Sequence, residues 1–484
     1  MSTFGIDPGE SYLRARWIWL RALGLIFFSA FYSLAWQIHG LIGERGILPA
    51  FDYLHELSGI FGLVQKIWYA PTLFWISSSD TALTCVIAVG LIASVLLVLN
   101  LSPRLMTVAC TTLFLTCIAA LQDFSSYQSD GMLLEAGFIS SFFAPRGIRP
   151  GLGATDPPSS FSLFMLRWEW FRIYFESGIV KIASGDPHWR NLTAMDDYYQ
   201  NGPLPSWLGW YVQQLPHWYH AGTVLLTFFV ELFLVWAVFL PRRFRIACFV
   251  VVTALQIGII ATANYAFLNY LVLALGILLL DDSVFVRLGL RTPVSVERER
   301  TLGFQIRRKV EATALGFALY TTISTFLFEG TGLAIPGHLI APFRIANAYG
   351  LFAVMTEARY EIEFQGSNDG ERWIPYPFRY KPQDPRERPG FFAPYQPRFD
   401  WNLWFASLGP PAQSPWVMLA QHRLLEGSSP VLELFRNDPF NGKPPRLVRT
   451  VLWQYWFTSL AEKNRTGNWW RRKELGPFMP VAVR

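Results

Sequence analysis

Residues 161–184, FSLFMLRWEWFRIYFESGIVKIAS, constrain the chain more than any other stretch. Their length and aliphatic-aromatic content suit a bilayer crossing, which takes roughly 20 mostly apolar residues. The stretch nevertheless carries Arg167, Glu169, Arg172, Glu176 and Lys181. Each such group costs at least ~2.5 kcal/mol at the centre of a lone membrane helix, so these side chains must face protein, water or one another. On a helical wheel Glu169, Arg172 and Glu176 fall on one face at three- and four-residue spacings, where opposite charges pair. Lys181 points elsewhere and has only Asp186, just past the end, as a neighbouring acid. Two readings stay open: a self-neutralising cluster that locks a bundle, or a desolvated lysine that gives up its proton and acts as a base beside Glu176.

The rest of the chain supports a polytopic α-helical membrane bundle followed by a β-rich, mixed α/β soluble C-terminal domain. The 52% apolar content, with 20 Trp and 40 Phe, exceeds a usual soluble composition. Apolar runs at about 14–37, 81–99, 105–121, 132–144, 221–240, 246–261, 267–280 and 312–328 join the charged segment to give nine crossings, the first an uncleaved helix. Lys and Arg should then collect on alternate connections. Fifteen do, including seven between Arg287 and Lys309, against Arg45, Lys66 and Arg190 on the others. The N-terminus is thus expected in the cytoplasm and the C-terminal domain outside it. Glu135 and Glu231 lie within spans, face the bundle interior, and are candidate partners for Arg172 or Lys181.

Two connections are unusual. Residues 40–79 suit an interfacial loop with short amphipathic helices. Residues 185–217, with Asp186, His188, Trp189 and Arg190, are too hydrophilic to cross and too Trp-rich for a bare linker, so they should fold back on the membrane surface. His217 and His220 form an HxxH with no third ligand in view, so no metal is expected. Cys85, Cys110, Cys117 and Cys248 sit in apolar runs as small core hydrophobes. Soluble hydrolase, nucleotide and zinc motifs do not occur, and no basic run accompanies a nucleic-acid motif.

The expected division is 1–332 for the membrane part and 333–484 for the outer domain. There, residues 360–364 alternate apolar with polar, Gly366 to Gly370 supply a turn, and residues 373–380 resume an extended pattern: a β-hairpin. The string GSNDGERW resembles a turn of galactose-binding jelly rolls. Residues 414–425 and 430–435 look helical. Trp373, Trp401 and Trp404 are candidates for an exposed, partner-binding aromatic surface.

The strings LLEAGFISSFFAP (133–145), FESGIVKIASGDPHWRNLTAM (175–195), PLPSWLGWY (203–211), NAYGLFAVM (347–355), FQGSNDGERW (364–373), APYQPRFDWNLWFASLG (393–409) and TGNWWRR (466–472) closely resemble the lipase maturation factor family. That resemblance implies a membrane-anchored factor whose outer domain assists folding of secreted lipases or other exported clients, without a known cofactor. In animals the setting is the endoplasmic reticulum. An Arg-over-Lys bias points instead to a bacterial inner membrane, with the outer domain in the periplasm. More distantly, SGIVKI (177–182) with Trp189 resembles the AGxxKL…W element of vitamin K-dependent gamma-glutamyl carboxylase, in which the lysine deprotonates a reduced quinone. The alternative function this implies is an integral membrane enzyme using Lys181 on a bound quinone- or lipid-like substrate.

Overall fold

A computed structural model describes residues 10–125, 127–293 and 302–484. Each of the nine expected crossings coincides with a helix. After α1 (Leu13–Ala35) come three short helices, α2 (Ile38–Ile42), α3 (Ala50–Ile60) and α4 (Leu63–Tyr69), in place of a further span. Then follow α5 (Asp80–Val98), α6 (Pro103–Ile118), α7 (Gln128–Phe143) and α8 (Ser160–Ala183). The loop after α8 holds α9 (Pro187–Arg190), α10 (Tyr198–Asn201) and α11 (Trp207–Gln213). The next crossing starts as α12 (His217–Phe228) and continues through a π-helical turn, Phe229–Phe233, into a 3-10 stretch, Leu234–Phe239. The remaining helices are α13 (Arg242–Thr262), α14 (Leu268–Gly276), α15 (Asp282–Arg287), α16 (Leu302–Leu327) and α17 (Ile335–Ile340). By length and composition, α1, α5, α13, α16 and residues 217–239 are each able to cross a membrane.

Local chemistry sets the ends. Ser79 and Ser159 accept backbone N–H bonds as N-caps of α5 and α8, and Asp186 caps α9 ahead of Pro187. Arginines satisfy orphan carbonyls at one end of the bundle. Arg16, at the start of α1, donates to the carbonyls of Asp156 (2.7 Å) and Leu152 (3.0 Å). Arg104, at the start of α6, donates to Ala144 past the end of α7, and Arg245, near the start of α13, to Leu279. The arginines of three alternate connections thereby meet at a common end. Arg298 and Arg300, which belong to the predicted basic connector, lie outside the described residues.

The opposite end carries the C-terminal part. Its strands β1 (Arg359–Ser367), β2 (Ile374–Pro375), β3 (Leu447–Phe457) and β4 (Trp470–Val483) form one antiparallel sheet in the order β2-β1-β3-β4. The predicted hairpin forms as β1 and β2, but it is short, and β1 spends its length on β3, from Arg359 opposite Tyr455 to Ser367 opposite Leu447. Among the described residues the strands make a single sheet, so the two-sheet jelly roll suggested by GSNDGERW is not formed. Helices α18 (Arg398–Ser407) and α19 (Trp416–Leu425) back the sheet; α20 (Ser429–Leu432) follows α19, and α21 (Leu460–Thr466) lies between β3 and β4. Ile362 and Phe364 of β1 are fully buried, and Phe364 packs on Phe399 and Phe435.

The C-terminal part packs closely on the bundle: buried residues of the bundle and of the sheet form one continuous apolar cluster. Fully buried Arg398 of α18 forks onto Asp130 of α7 at 2.7 and 2.8 Å. Gln37, just past α1, donates to the carbonyl of Gln396 at 2.9 Å. A Cβ on Gly40 would meet Pro430 O at 2.5 Å, so that close contact between α2 and α20 requires glycine. One expectation needs correction here: Trp401 and Trp404, offered as part of an exposed surface, are buried at this junction. Trp401 packs at a tilt against Tyr127 and Tyr265, and Trp404 donates its indole N–H to Asn201 O. Of the three proposed surface tryptophans only Trp373 is half-exposed, and it lies under the Arg449 guanidinium at 4.1 Å.

Candidate functional site

The charged face of α8 is closed by a segment of chain with no helix or strand of its own, residues 344–358. This segment is a strap that joins the membrane helices to β1. It runs along α8 in an irregular conformation, so its backbone N–H and C=O groups lack regular partners, and in a low-dielectric surround each would cost several kcal/mol if left unpaired. The polar side chains of the bundle supply the partners.

Arg172 is the centre. It forms a buried ion pair with Glu135 of α7, approaches Glu176 at 3.8 Å, lies over the Tyr349 ring and donates to Asn347 O. Glu135 accepts from the Asn347 backbone N–H (3.0 Å), its side-chain amide (3.1 Å) and the Tyr349 hydroxyl (2.8 Å). Glu176 accepts the Tyr349 N–H at 2.7 Å. Ser177 accepts the Leu351 N–H, and Gln128 the Gly350 N–H. The expected alignment of Arg172 and Glu176 is therefore present, with Glu135, from another helix, as the closer partner. Glu169 is buried within electrostatic range of both Glu135 and Arg172.

One turn further, Lys181 meets Glu231 of the π-helical turn, with Nζ 2.9 Å from each carboxylate oxygen. The ammonium also donates to Leu351 O (3.1 Å) and Ser177 O (3.3 Å) and sits 5.3 Å from the Trp189 ring. Lys181 is 3% exposed. Its acid partner is thus Glu231, not Glu176 as expected for a catalytic pair, and its donors are occupied by a carboxylate and two carbonyls. The approach of the Glu231 helix depends on Gly178, where a Cβ would come within 2.8 Å of Leu232 and 3.0 Å of Glu231. A π-turn at this position shifts the local register of the span, a common device at special sites.

The loop motif completes the closure. The Trp189 indole donates to Phe352 O at 3.0 Å, and Asp186 accepts from Met355 N and, at 2.8 Å, from His188 N. Burial pushes the Asp186 carboxyl up, but these N–H donors outweigh it and hold it below the usual carboxylate range. His188 Nδ1 lies 2.9 Å from the same carboxylate. Arg190 is at the exposed surface. Arg167 belongs to a different contact, donating to Leu278 O and covering Tyr12. His217 pairs with Asp196 at 3.0 Å, and His220 is buried against Tyr199 and Tyr219.

Three residues of this site were not singled out one by one in the sequence: Asn347, Tyr349 and Gln128. The signal that bears on the first two is the string NAYGLFAVM, whose polar start has no helical or strand periodicity.

Fold and site define a class: a polytopic helical membrane protein in which intramembrane charges clasp the strap leading to a C-terminal sheet. Residues 14–287 match the lipase maturation factor transmembrane domain, and residues 345–480 the lipase maturation factor C-terminal domain. Lipase maturation factor 1 of Mus musculus is 32% identical, with 98% of this chain and 89% of the relative aligned. Lipase maturation factor 2 is 31% identical in Gallus gallus (98% and 82% covered) and 30% in Homo sapiens (96% and 82%). No solved structure matches the chain. The chain belongs to the lipase maturation factor family. The C-terminal match begins at residue 345, within the strap.

Proposed function

We propose that this protein is a membrane-anchored maturation factor that assists secreted lipases, or other exported proteins, to reach their active fold. The observation that carries this reading is that the membrane part and the C-terminal part both match the corresponding parts of the family, in one alignment over nearly the whole chain. In this reading the bundle is an anchor and the sheet, with Trp373 on its accessible side, meets the client. The sheet side faces away from the cytoplasm, in keeping with the arginine distribution; in a bacterium that side is the periplasm, in a eukaryote the endoplasmic reticulum lumen. Lys181 holds the strap, in keeping with its saturated surroundings, and performs no proton abstraction. The test is secretion of a lipase from cells lacking their own factor, with and without this chain. A rise in secreted activity per unit of lipase protein is expected. Unchanged activity at normal levels of the chain in the membrane refutes the reading.

A further inference from the structure

Two segments outside the clasp leave large apolar side chains uncovered, and they touch each other. The first is the end of α3 with α4 and the turn beyond, residues 57–76, in which Lys66 is the single charged residue. Ile60, Val64 and Ile76 are 73%, 77% and 86% exposed, and Leu63, Ile67 and Leu73 also face outward. The second is α17 with its flanks, where Leu333, Ile335 and Leu339 are each more than half exposed. Trp68 joins them: its indole donates to Leu339 O at 2.7 Å and its ring meets Phe343 edge-on at 4.9 Å. The exposed residues therefore belong to one ledge. Its height is fixed by the Thr72 hydroxyl, which donates to Thr116 O at the end of α6, the end opposite the arginines.

We propose that this ledge lies half-sunk in the bilayer, in the leaflet on the side of the C-terminal sheet, with lipid acyl chains as its partner. Three observations favour lipid over a protein partner. The ledge is continuous along the chain with α5, whose exposed Val89, Ile92 and Val95 form part of an apolar crossing. Its first segment carries the polar elements of a membrane interface, Trp68, Tyr69 and Trp75 with a lysine, and α17 adds His338 facing Glu329 at 3.5 Å. Lys66 turns back onto Ser58 (3.3 Å) and the Trp75 ring (4.8 Å), as a cation does at the level of headgroups. Such elements settle roughly 5–10 Å into the headgroup and acyl boundary. Because Phe343 of the ledge immediately precedes the strap, lipid also anchors the strap's first residues.

The experiment uses the full chain in lipid nanodiscs, with Cys85→Ala to remove the exposed native thiol; the other cysteines are buried. An environment-sensitive fluorophore is placed at Val64→Cys, at Leu339→Cys as a second site, and at exposed Glu474→Cys of β4 as a control. The expected result is loss of emission at the first two positions with lipids brominated high on the acyl chain, no loss with aqueous iodide, and the reverse at the control. Quenching of the ledge probes by iodide and not by brominated lipid overturns the proposal. So does protection from iodide that appears only after a lipase is added, which would assign the ledge to a protein partner.

Discussion

Lys181 and Glu231 form a symmetric pair, with the ammonium 2.9 Å from both carboxylate oxygens. The pair lies on two different crossings, and the lysine's further bond to Leu351 O ties it to the strap. Removing one partner of a buried pair strands the other charge, at a cost of about 3–5 kcal/mol, whereas replacing both with apolar groups is often neutral. Lys181→Met should therefore lower the thermal stability of the detergent-solubilised protein sharply, and Lys181→Met with Glu231→Met should restore most of it. A catalytic lysine gives the opposite pattern, with normal stability and no rescue of function in the double variant.

Glu135 tests the clasp itself. It takes three donors from Asn347 and Tyr349 as well as the Arg172 pair. Glu135→Ala should release the strap, and hydrogen exchange at the amides of Asn347, Tyr349 and Leu351 should accelerate well before exchange in the core of α8. Equal acceleration throughout would mean global unfolding instead of a local release.

These pairings mark where sequence reading stopped. The long helices of the membrane part were legible because hydrophobic length is local, and Glu135 and Glu231 were legible as inward-facing because a bare carboxylate is costly in lipid. Which cation each one meets was not, because that depends on how α7, α8 and the π-turn pack, and a π-turn leaves no mark in apolar periodicity. The strap was equally hidden: its partners are backbone groups, which every residue carries. Trp401 and Trp404 misled for a related reason, since Trp-rich strings read alike whether they face a client or a domain junction.

Gly178 offers a test by volume. Its missing Cβ lets the Glu231 turn come close, and any added carbon would lie 2.8 Å from Leu232. Overpacking of this kind costs typically 1–3 kcal/mol. Gly178→Val should destabilise the protein by about that amount and should weaken the Lys181 pair, so that combining it with Lys181→Met costs less than the sum of the two changes.

The junction rests on Arg398 and Asp130, both fully buried. Arg398→Met should cost about 3–5 kcal/mol by stranding Asp130. The loss should fall on the docking of the sheet, so limited proteolysis should cut between α17 and β1 in the variant while leaving α1 to α8 intact. Arg398→Met with Asp130→Asn should regain part of the protection. Unchanged proteolysis in the single variant would show that the apolar contacts alone hold the junction.

Asp400, two residues further along α18, makes the stability of the C-terminal part depend on pH. Burial raises its carboxyl from the usual range to about 6, with Glu361 adding to the rise; Lys381 and the backbone N–H groups of Tyr380 and Lys381 oppose it. A carboxyl whose pKa is higher in the folded state favours folding while protonated. Its contribution is fully present below the unfolded value near 4 and is lost as pH rises through about 6. The shift corresponds to at most about 3 kcal/mol. Asp400→Asn keeps an oxygen to accept the two N–H groups and cannot ionise. Between pH 5 and about 7.5 the melting temperature of the parent protein should therefore fall relative to that of the variant. Parallel melting curves across that range would mean that Lys381 neutralises the carboxylate in place, and that Asp400 is charged throughout.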